Sequence, residues 1–506
     1  MSEQITLLPG LLTAHLQLAL AALAVGTLIS VPLGVLVRCR AWLESALLAA
    51  AGVIQTIPGL ALLAVMVPLL SALGLRGIGF LPAFLGLALY SVLPILRNTV
   101  TGLAGVDPAA IEAARGLGMT PAQRLWRVEL PLALPVILAG IRTATVWTVG
   151  MATLSTPVGA PSLGNYIFGG LQTRNLDAVL VGCGASAALA LALDGLVQLV
   201  GRGYARRRRT LVAVGFGGLL LLALHAGLAA LGSTRAAEGE RPVRVGAKTF
   251  TEQYVLAEVL AGQVRRATGL PVQVTSSLGS TVAFDALSRG EIDAYVEYTG
   301  TIWATLMHRS GTGPGRADVL AEVRRWLAEQ HGVEVAASLG FENAYAFALT
   351  RARAAALGAW SLDDLAPHAA RLRAAADYEF WARGEWAAVR AVYGLAFAEQ
   401  RTMDPSLLYT AVAAGQVDVI TAYSSDGRIS AFDLVTLADT RGAIPPYDAI
   451  VLVGRRLVRE RPEVVAALAR LGGAIDAERM RSLNRAVDET GHSPAAVAQE
   501  FLAQWP

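Results

Sequence analysis

The sequence predicts two fold classes in one chain: an N-terminal all-α polytopic membrane domain with about six transmembrane helices, then a C-terminal two-lobed α/β domain. Three observations carry this. Of 506 residues, 54% are hydrophobic and only 16% charged, and the mean hydropathy of +0.50 is too apolar for a wholly soluble chain. The apolar excess is concentrated in residues 1–231. From residue 243 onward, short β-branched runs alternate with helical patterns, as α/β sheets require. At this length more than one core is expected.

The membrane half contains six segments of the length needed to cross a bilayer, about 20 apolar residues each. They are 13–37, 43–71, 78–96, 132–155, 177–200 and 211–231. Basic residues follow the first span (Arg38, Arg40), separate the third from the fourth (Arg97, Arg115, Arg124, Arg127), and separate the fifth from the sixth (Arg202, Arg206–Arg209). Alternation through six spans puts these clusters on one side, which the positive-inside rule makes cytoplasmic. The N-terminus and everything after residue 232 are then extracytoplasmic. The Arg206–Arg209 run reads as a membrane anchor touching anionic lipid, not as a nucleic-acid surface. MSEQITLLPG carries no basic leader of a cleavable signal peptide.

Polar residues within the spans are His15, Gln55, Thr56, Asp194 and His225. Asp194, an acid within a span, is a functional suspect by default, although its place near the span end favours snorkelling or helix pairing. The run Gln55-Thr56-Ile57-Pro58-Gly59 interrupts the second span, and either an unwound segment beside a pathway or a packing kink fits it.

One polar stretch, 107–135, lies between apolar spans and must project from the membrane. Asp107 can cap and Pro108 can open a helix; Gly116, Gly118 and Pro121 then break it, and a short second segment is expected to end at Pro131. Glu112-Ala113-Ala114, Gly118 and the Leu130–Pro135 run resemble the EAA loop of importer-type ABC permeases. The resemblance implies that a separate ATPase subunit docks on Glu112, Ala113, Ala114 and Gly118. It further implies a homodimer of this chain served by two ATPase copies. The extracytoplasmic stretch 157–167 is similar to the loop such permeases carry before their last core span, with Ala160-Pro161-Ser162 where relatives typically have glycines.

Residues 232–242 read as a short polar linker. Beyond it, strands are expected at Val243–Gly246, Val272–Thr275, Ile292–Val296, Val417–Ala422, Asp433–Leu437 and Ala449–Val453, and helices near Thr251 and over Ala283–Arg289. Their alternation argues for parallel sheets in two lobes, the second covering about 346–446. This half resembles the glycine betaine/choline/carnitine (OpuC-like) binding proteins. The matching residues are Lys248–Gln253, Gly290–Asp293, Glu297–Thr301, Ala422–Ile429, Pro445–Ala449 and Leu483-Asn484 through Phe501-Leu502. After Tyr378-Glu379-Phe380, where relatives carry an Asp-Gly-Tyr-type turn, this chain has Gly384-Glu385-Trp386.

A trimethylammonium group cannot donate hydrogen bonds, so aromatic faces must hold it, each contributing about 0.5–2 kcal/mol. The family's tyrosine cage falls here on Tyr298, Tyr345, Tyr423 and Tyr447, each expected at or just after a strand end. Ser280, Thr281 and Thr301 resemble the polar side of the family's pocket. For Arg428, a ligand contact and a salt bridge with Asp426 both stand; for Glu252, a helix cap is favoured over a ligand contact.

Other chemistry lacks its residues. Lys248 has no GxxxxGK[ST] frame, so ATP belongs to the partner and no cofactor is expected. The histidines have no paired metal-ligand spacing and no catalytic constellation is discernible. Cys39 and Cys183 lie in or beside apolar spans and imply no disulfide. Lys248 is the only lysine among 42 basic residues, a coding bias and not a nucleic-acid surface. The resemblance implies an importer of quaternary-ammonium osmoprotectants in a bacterial inner membrane. The alternatives are an ergothioneine importer and, in another class, a tethered sensor that transports nothing.

Overall fold

The computed structural model describes residues 2–38, 40–173, 175–236, 241–309 and 315–505. The chain divides into two compact units: residues 1–168 with 177–239, and residues 169–176, which include the end of the helix over 164–172, with 240–506.

The first unit is helical. It comprises α1 (Ser2–Val37), α2 (Ala41–Thr56), α3 (Gly59–Ala72), α4 (Phe80–Ala104) and α5 (Pro108–Gly116). It continues through α6 (Pro121–Arg124), α7 (Leu130–Ala152), α8 (Gly164–Gln172), α9 (Leu176–Ala205) and α10 (Arg209–Ala236). Among the described residues, five helices are long and apolar enough to cross a membrane, or six if the α2–α3 pair is one span. That pair bends by 99° at Ile57-Pro58, where both residues adopt extended ψ values. The span expected over 43–71 is thus broken in the middle.

Packing order shows that the broken pair makes one crossing. Gly26 of α1 lies against Ala88 and Ser91 of α4, and further along Gly34 lies against Leu96 and Thr99. The two helices run parallel, so the chain must cross back once between them. α7 opposes α4, since Gly102 meets Ala133 and Val136 while Gly140 meets Pro94 and Asn98. α9 opposes α7 through the Tyr204 hydroxyl on Pro131 O at 3.0 Å and the Arg142–Asp194 pair. α10 then opposes α9, with Gly215 against Leu196 and Val200. Arg38, the 105–129 loop and the Arg206–Arg209 run therefore share one end of the bundle. At the other end Thr13 of α1 reaches His225 of α10 at 3.2 Å.

Two boundaries differ from the sequence reading. The segment expected to stop at Pro131 does not stop. It passes through a π turn, Leu125–Glu129, with the Leu130 amide bonded to Leu125 O, and runs on into α7. The extra residue in that turn lets the helix carry Pro131, which lacks a donor and would otherwise crowd the carbonyl four residues back. Helix α10 extends through Ala236, into the expected 232–242 linker, of which 237–240 lie outside the described residues. Cys183 is free and exposed; Cys39 lies outside the described residues.

The second unit holds two five-stranded sheets. Strands β1 (Val243–Lys248), β2 (Val272–Leu278), β3 (Ala294–Tyr298), β4 (Val333–Glu342), β5 (Tyr345–Thr350), β6 (Arg373–Ala376), β7 (Glu399–Thr402), β8 (Val419–Tyr423), β9 (Leu434–Thr436) and β10 (Asp448–Gly454) alternate with helices. Their orders are β2-β1-β3-β10-β4 and β7-β6-β8-β5-β9. Helix α11 (Thr251–Thr268) buries Val255, Leu256, Val259, Leu260 and Val264 in the core, and α12 (Ser280–Ser288) follows β2.

The sheets are mixed, not parallel as the alternation suggested. β10 is antiparallel to β3 and β4, and β5 is antiparallel to β8 and β9. The chain leaves the first sheet after β4, builds the second, and returns as β10 from the opposite direction. Strands β4 to β7 were not legible in the sequence; β7, Glu-Gln-Arg-Thr, has no apolar alternation at all.

Candidate ligand-binding site

Antiparallel register builds the tyrosine cluster. Tyr345 opens β5 and pairs directly with Tyr423, the last residue of β8. Tyr298 ends β3 opposite Ala449 of β10, and Tyr447, two positions earlier, lies against Gly300. Two of the four tyrosines thus sit at strand starts instead of strand ends, because the strands that carry them run backwards. Thr299 fastens the two loops, donating to Pro446 O and accepting from the Asp448 amide, both at 2.9 Å. Gly300 lies so close to the Tyr447 ring that a Cβ there would fall 2.4 Å from it.

The rings converge. Tyr345 is 5.0 Å from Tyr423 and 6.0 Å, edge-on, from Tyr447. Phe250 bridges the remaining gap, 5.7 Å from Tyr423 and 6.3 Å from Tyr298. Each phenol donates to a carboxylate: Tyr345 and Tyr423 to Asp377, both at 2.9 Å, Tyr298 to Glu252 at 2.5 Å, and Tyr447 to Glu385. Burial first, then the neighbouring carboxylates, pushes all four hydroxyls well above the ordinary phenol range, with Arg383 opposing at Tyr345 and Tyr447. They stay neutral, and donation to an anion enriches the ring in the electron density that attracts a cation. Cations already use these faces. Lys248 Nζ lies 4.7 Å from the Tyr298 ring, and the Arg383 guanidinium 5.2 Å from that of Tyr345.

Glu252 does not cap its helix. The carboxylate is buried and accepts from Tyr298, Asn343 at 3.0 Å, Ser425, and Asn484 at 3.3 Å. Its helix has Phe250 at the N-terminal capping position and no side-chain cap. Desolvation raises the Glu252 carboxyl, and its four donors oppose that. A small pocket, with room of about 20 Å³ for water-sized contents, opens beside it, bordered by Phe250, Asn343, Tyr423, Ser425 and Asp426; of the four tyrosines it touches Tyr423 alone.

The remaining expected residues separate. Thr301 is buried next to Gly300. Ser280 and Thr281 lie half-buried and exposed at the start of α12, with no hydrogen bond to the tyrosines. Arg428 borders the pocket but is committed elsewhere: it pairs with Asp426 at 2.6 Å and stacks 4.2 Å from the Tyr409 ring. Of its two readings, the salt bridge is the one realised. Sequence reasoning missed Phe250, Asp377 and Arg383. Phe250 stood in the quoted Lys248–Gln253 motif, so only its role went unread.

The two halves also match known families. Residues 26–206 match the binding-protein-dependent transport system inner membrane component, and residues 241–504 the substrate binding domain of the ABC-type glycine betaine transport system. The chain belongs to the ABC importers, as a permease fused to a binding domain. The ergothioneine transport permease/ergothioneine binding protein EgtU of Helicobacter pylori (strain G27) is 30% identical to this importer chain over 462 residues, 89% of this chain and 81% of its own length. The choline transport system permease protein OpuBB of Bacillus subtilis (strain 168) is 42% identical over 188 residues, 37% of this chain and 84% of its own. The carnitine transport binding protein OpuCC of Listeria monocytogenes is 32% identical over 265 residues, 51% and 85% respectively.

In the importer's membrane unit, the EAA segment forms a capped helical hairpin. Asp107 accepts from the Ala109 amide at 2.9 Å to start α5, Gly118 adopts φ 73°, and Thr120 and Gln123 form a reciprocal capping box for α6. Glu112, Ala113 and Gly118 are exposed, whereas Ala114 is buried. Leu117 and Trp126, 77% and 71% exposed, add an apolar surface that sequence reasoning did not single out. Glu129, buried, pairs with Arg124 at 2.6 Å and also with Arg38, fixing the hairpin to the end of α1. Within the spans, Arg142 was overlooked; it meets Asp194 in a bidentate pair at 2.8 and 2.9 Å.

Proposed function

We propose that this importer subunit takes up quaternary-ammonium solutes of the glycine betaine/choline/carnitine class. The observation that carries the proposal is the continuous run of rings Tyr298, Phe250, Tyr423, Tyr345 and Tyr447, with every phenol donating to a carboxylate. Such a cluster attracts a cation that lacks donors. Arg383 and Lys248 lie at the ring faces but are each paired with a carboxylate, Glu385 and Glu297, and neither is assigned to the ligand's own carboxylate.

The binding domain lies outside the bacterial plasma membrane and closes on solute. The solute passes to the pathway formed by two copies of the membrane unit, and two copies of a separate ATPase dock on the exposed Glu112, Ala113 and Gly118, with buried Ala114 supporting the hairpin from within, to drive the cycle. Fusion holds receptor and pathway together at an effective concentration of about millimolar. A tethered sensor would have no use for the exposed EAA hairpin.

A second reading, ergothioneine import, is favoured by one observation. The relative named for ergothioneine matches both halves in one chain, whereas the choline permease and the carnitine binding protein each match one half. Calorimetric titration of the purified chain with choline, glycine betaine, carnitine and ergothioneine tests both. Binding of at least one trimethylammonium solute is expected. Binding of none rejects the class, and tight binding of ergothioneine alone selects the second reading.

A further inference from the structure

The Arg142–Asp194 pair lies deep in the membrane unit. Arg142 is eleven residues past Pro131 on α7, and Asp194 eleven before Ala205 on α9. At 1.5 Å per residue each is about 16 Å from its loop-side end, near the middle of a hydrocarbon core about 30 Å thick. The fork is half used. Nε donates to Asp194 Oδ1 at 2.9 Å and Nη2 to Oδ2 at 2.8 Å, while Nη1 has no partner among the described residues. The Arg142 side chain remains 35% exposed and that of Asp194 21%.

A part-exposed ion pair at this depth does not face lipid. On α7 exposed Ala139 and Thr143 flank it, with exposed Val146 one turn further along. The outward side of α10 instead presents Leu220, Leu221, Leu224 and Leu228, a surface suited to acyl chains. A merely structural contact between α7 and α9 would be made more cheaply by apolar side chains.

We infer that Arg142, held by Asp194, lines the translocation path and meets the carboxylate of a zwitterionic solute in transit. This rests on the reading that the chain imports quaternary-ammonium solutes. An arginine whose bidentate partner fixes one edge offers its remaining N–H groups to a second carboxylate. Because the pair is neutral overall, the site engages an anion transiently and releases it. The trimethylammonium end gains nothing there, so choline, which has no carboxylate, passes without using it.

The test is uptake by the full chain with its ATPase in proteoliposomes, using glycine betaine or carnitine as the zwitterion and choline as the carboxylate-free cation. If choline is not carried, the carboxamide of the preferred betaine replaces it. The double variant Arg142→Gln with Asp194→Asn keeps shape and hydrogen bonding but removes both charges. Expected results are at least a tenfold loss of zwitterion uptake, choline uptake within about twofold of wild type, and unchanged calorimetric affinities. Parallel loss of both solutes, or loss of neither, overturns the inference. Should the double variant fail to assemble, Arg142→Lys, which keeps the charge but not the fork, is expected to raise the zwitterion's transport KM several-fold and leave that of choline unchanged. An equal change for both overturns it. A wild-type chain that binds no trimethylammonium solute instead rejects the functional reading on which the inference stands.

Discussion

Tyr345 and Tyr423 stand directly opposite one another on β5 and β8, their ring centroids 5.0 Å apart and both hydroxyls on the same oxygen of Asp377. One carboxylate thus sets the orientation of two cage walls. Replacing Tyr423 or Tyr298 by alanine is expected to weaken trimethylammonium binding at least tenfold, about 1.4 kcal/mol. Tyr423→Phe keeps the ring and loses the bond to Asp377 and a longer one to the Tyr345 hydroxyl, so a smaller change, about two- to fivefold, is expected. Calorimetry on the purified chain checks both; unchanged affinity in the alanine variants would sink the cage assignment.

Gly300 packs against Tyr447 with no room for a methyl group. Gly300→Ala is expected to displace the Tyr447 ring, lower affinity several-fold and lower the melting temperature of the binding unit by a few degrees, since overpacking costs about 1–3 kcal/mol. A variant that binds and melts like the parent would show that the loop yields freely.

The hairpin carrying Glu112 is exposed for docking, and Glu129 fixes it to α1 through Arg124 and Arg38. Glu112→Lys is expected to abolish uptake while leaving solute affinity intact. Glu129→Gln leaves two guanidinium groups without their anion and is expected to cut uptake strongly, again without changing solute affinity. Paired uptake and titration measurements decide; a loss of affinity in either variant would contradict this division of labour.

Asp426 supplies a pH dependence. Burial alone would raise its carboxyl, but Arg428 at 2.6 Å overrides this and holds it below the ordinary range. A carboxyl lowered by folding contributes stability that is present above its unfolded value, about 3.9, and is lost as pH falls through the folded value. The binding unit is therefore expected to melt at lower temperature as pH drops below about 4. Asp426→Asn should be less stable at pH 7 and show a shallower acid slope in fluorescence-monitored melts. An unchanged slope would remove Asp426 from the account.

Much was legible in the residue order because it depends on local chemistry. Apolar length marked the spans, Arg38, Arg40 and the Arg206–Arg209 run marked one end of the bundle, and Glu112-Ala113-Ala114 with Gly118 marked the exposed hairpin. Tyr298, Tyr345, Tyr423 and Tyr447 could be named from their motifs. Their setting could not. Asp377 and Glu385 lie far from their partners in sequence, and nothing local distinguishes a carboxylate that polarises a phenol from one that faces water. Arg428 illustrates the converse: its neighbour Asp426 was visible as a rival to the ligand, and geometry gave it to that neighbour.

By itself the sequence determined that a membrane-crossing half precedes an α/β half, and which side chains have the chemistry to grip a cation, since hydrophobic length and residue type are properties of short segments. Only the tertiary structure decided that the 43–71 span breaks into α2 and α3 with a 99° bend, that β5 and β10 run backwards, and that Arg142 finds Asp194. Those outcomes depend on which distant segments come to pack together, and packing direction is not encoded in any one of them.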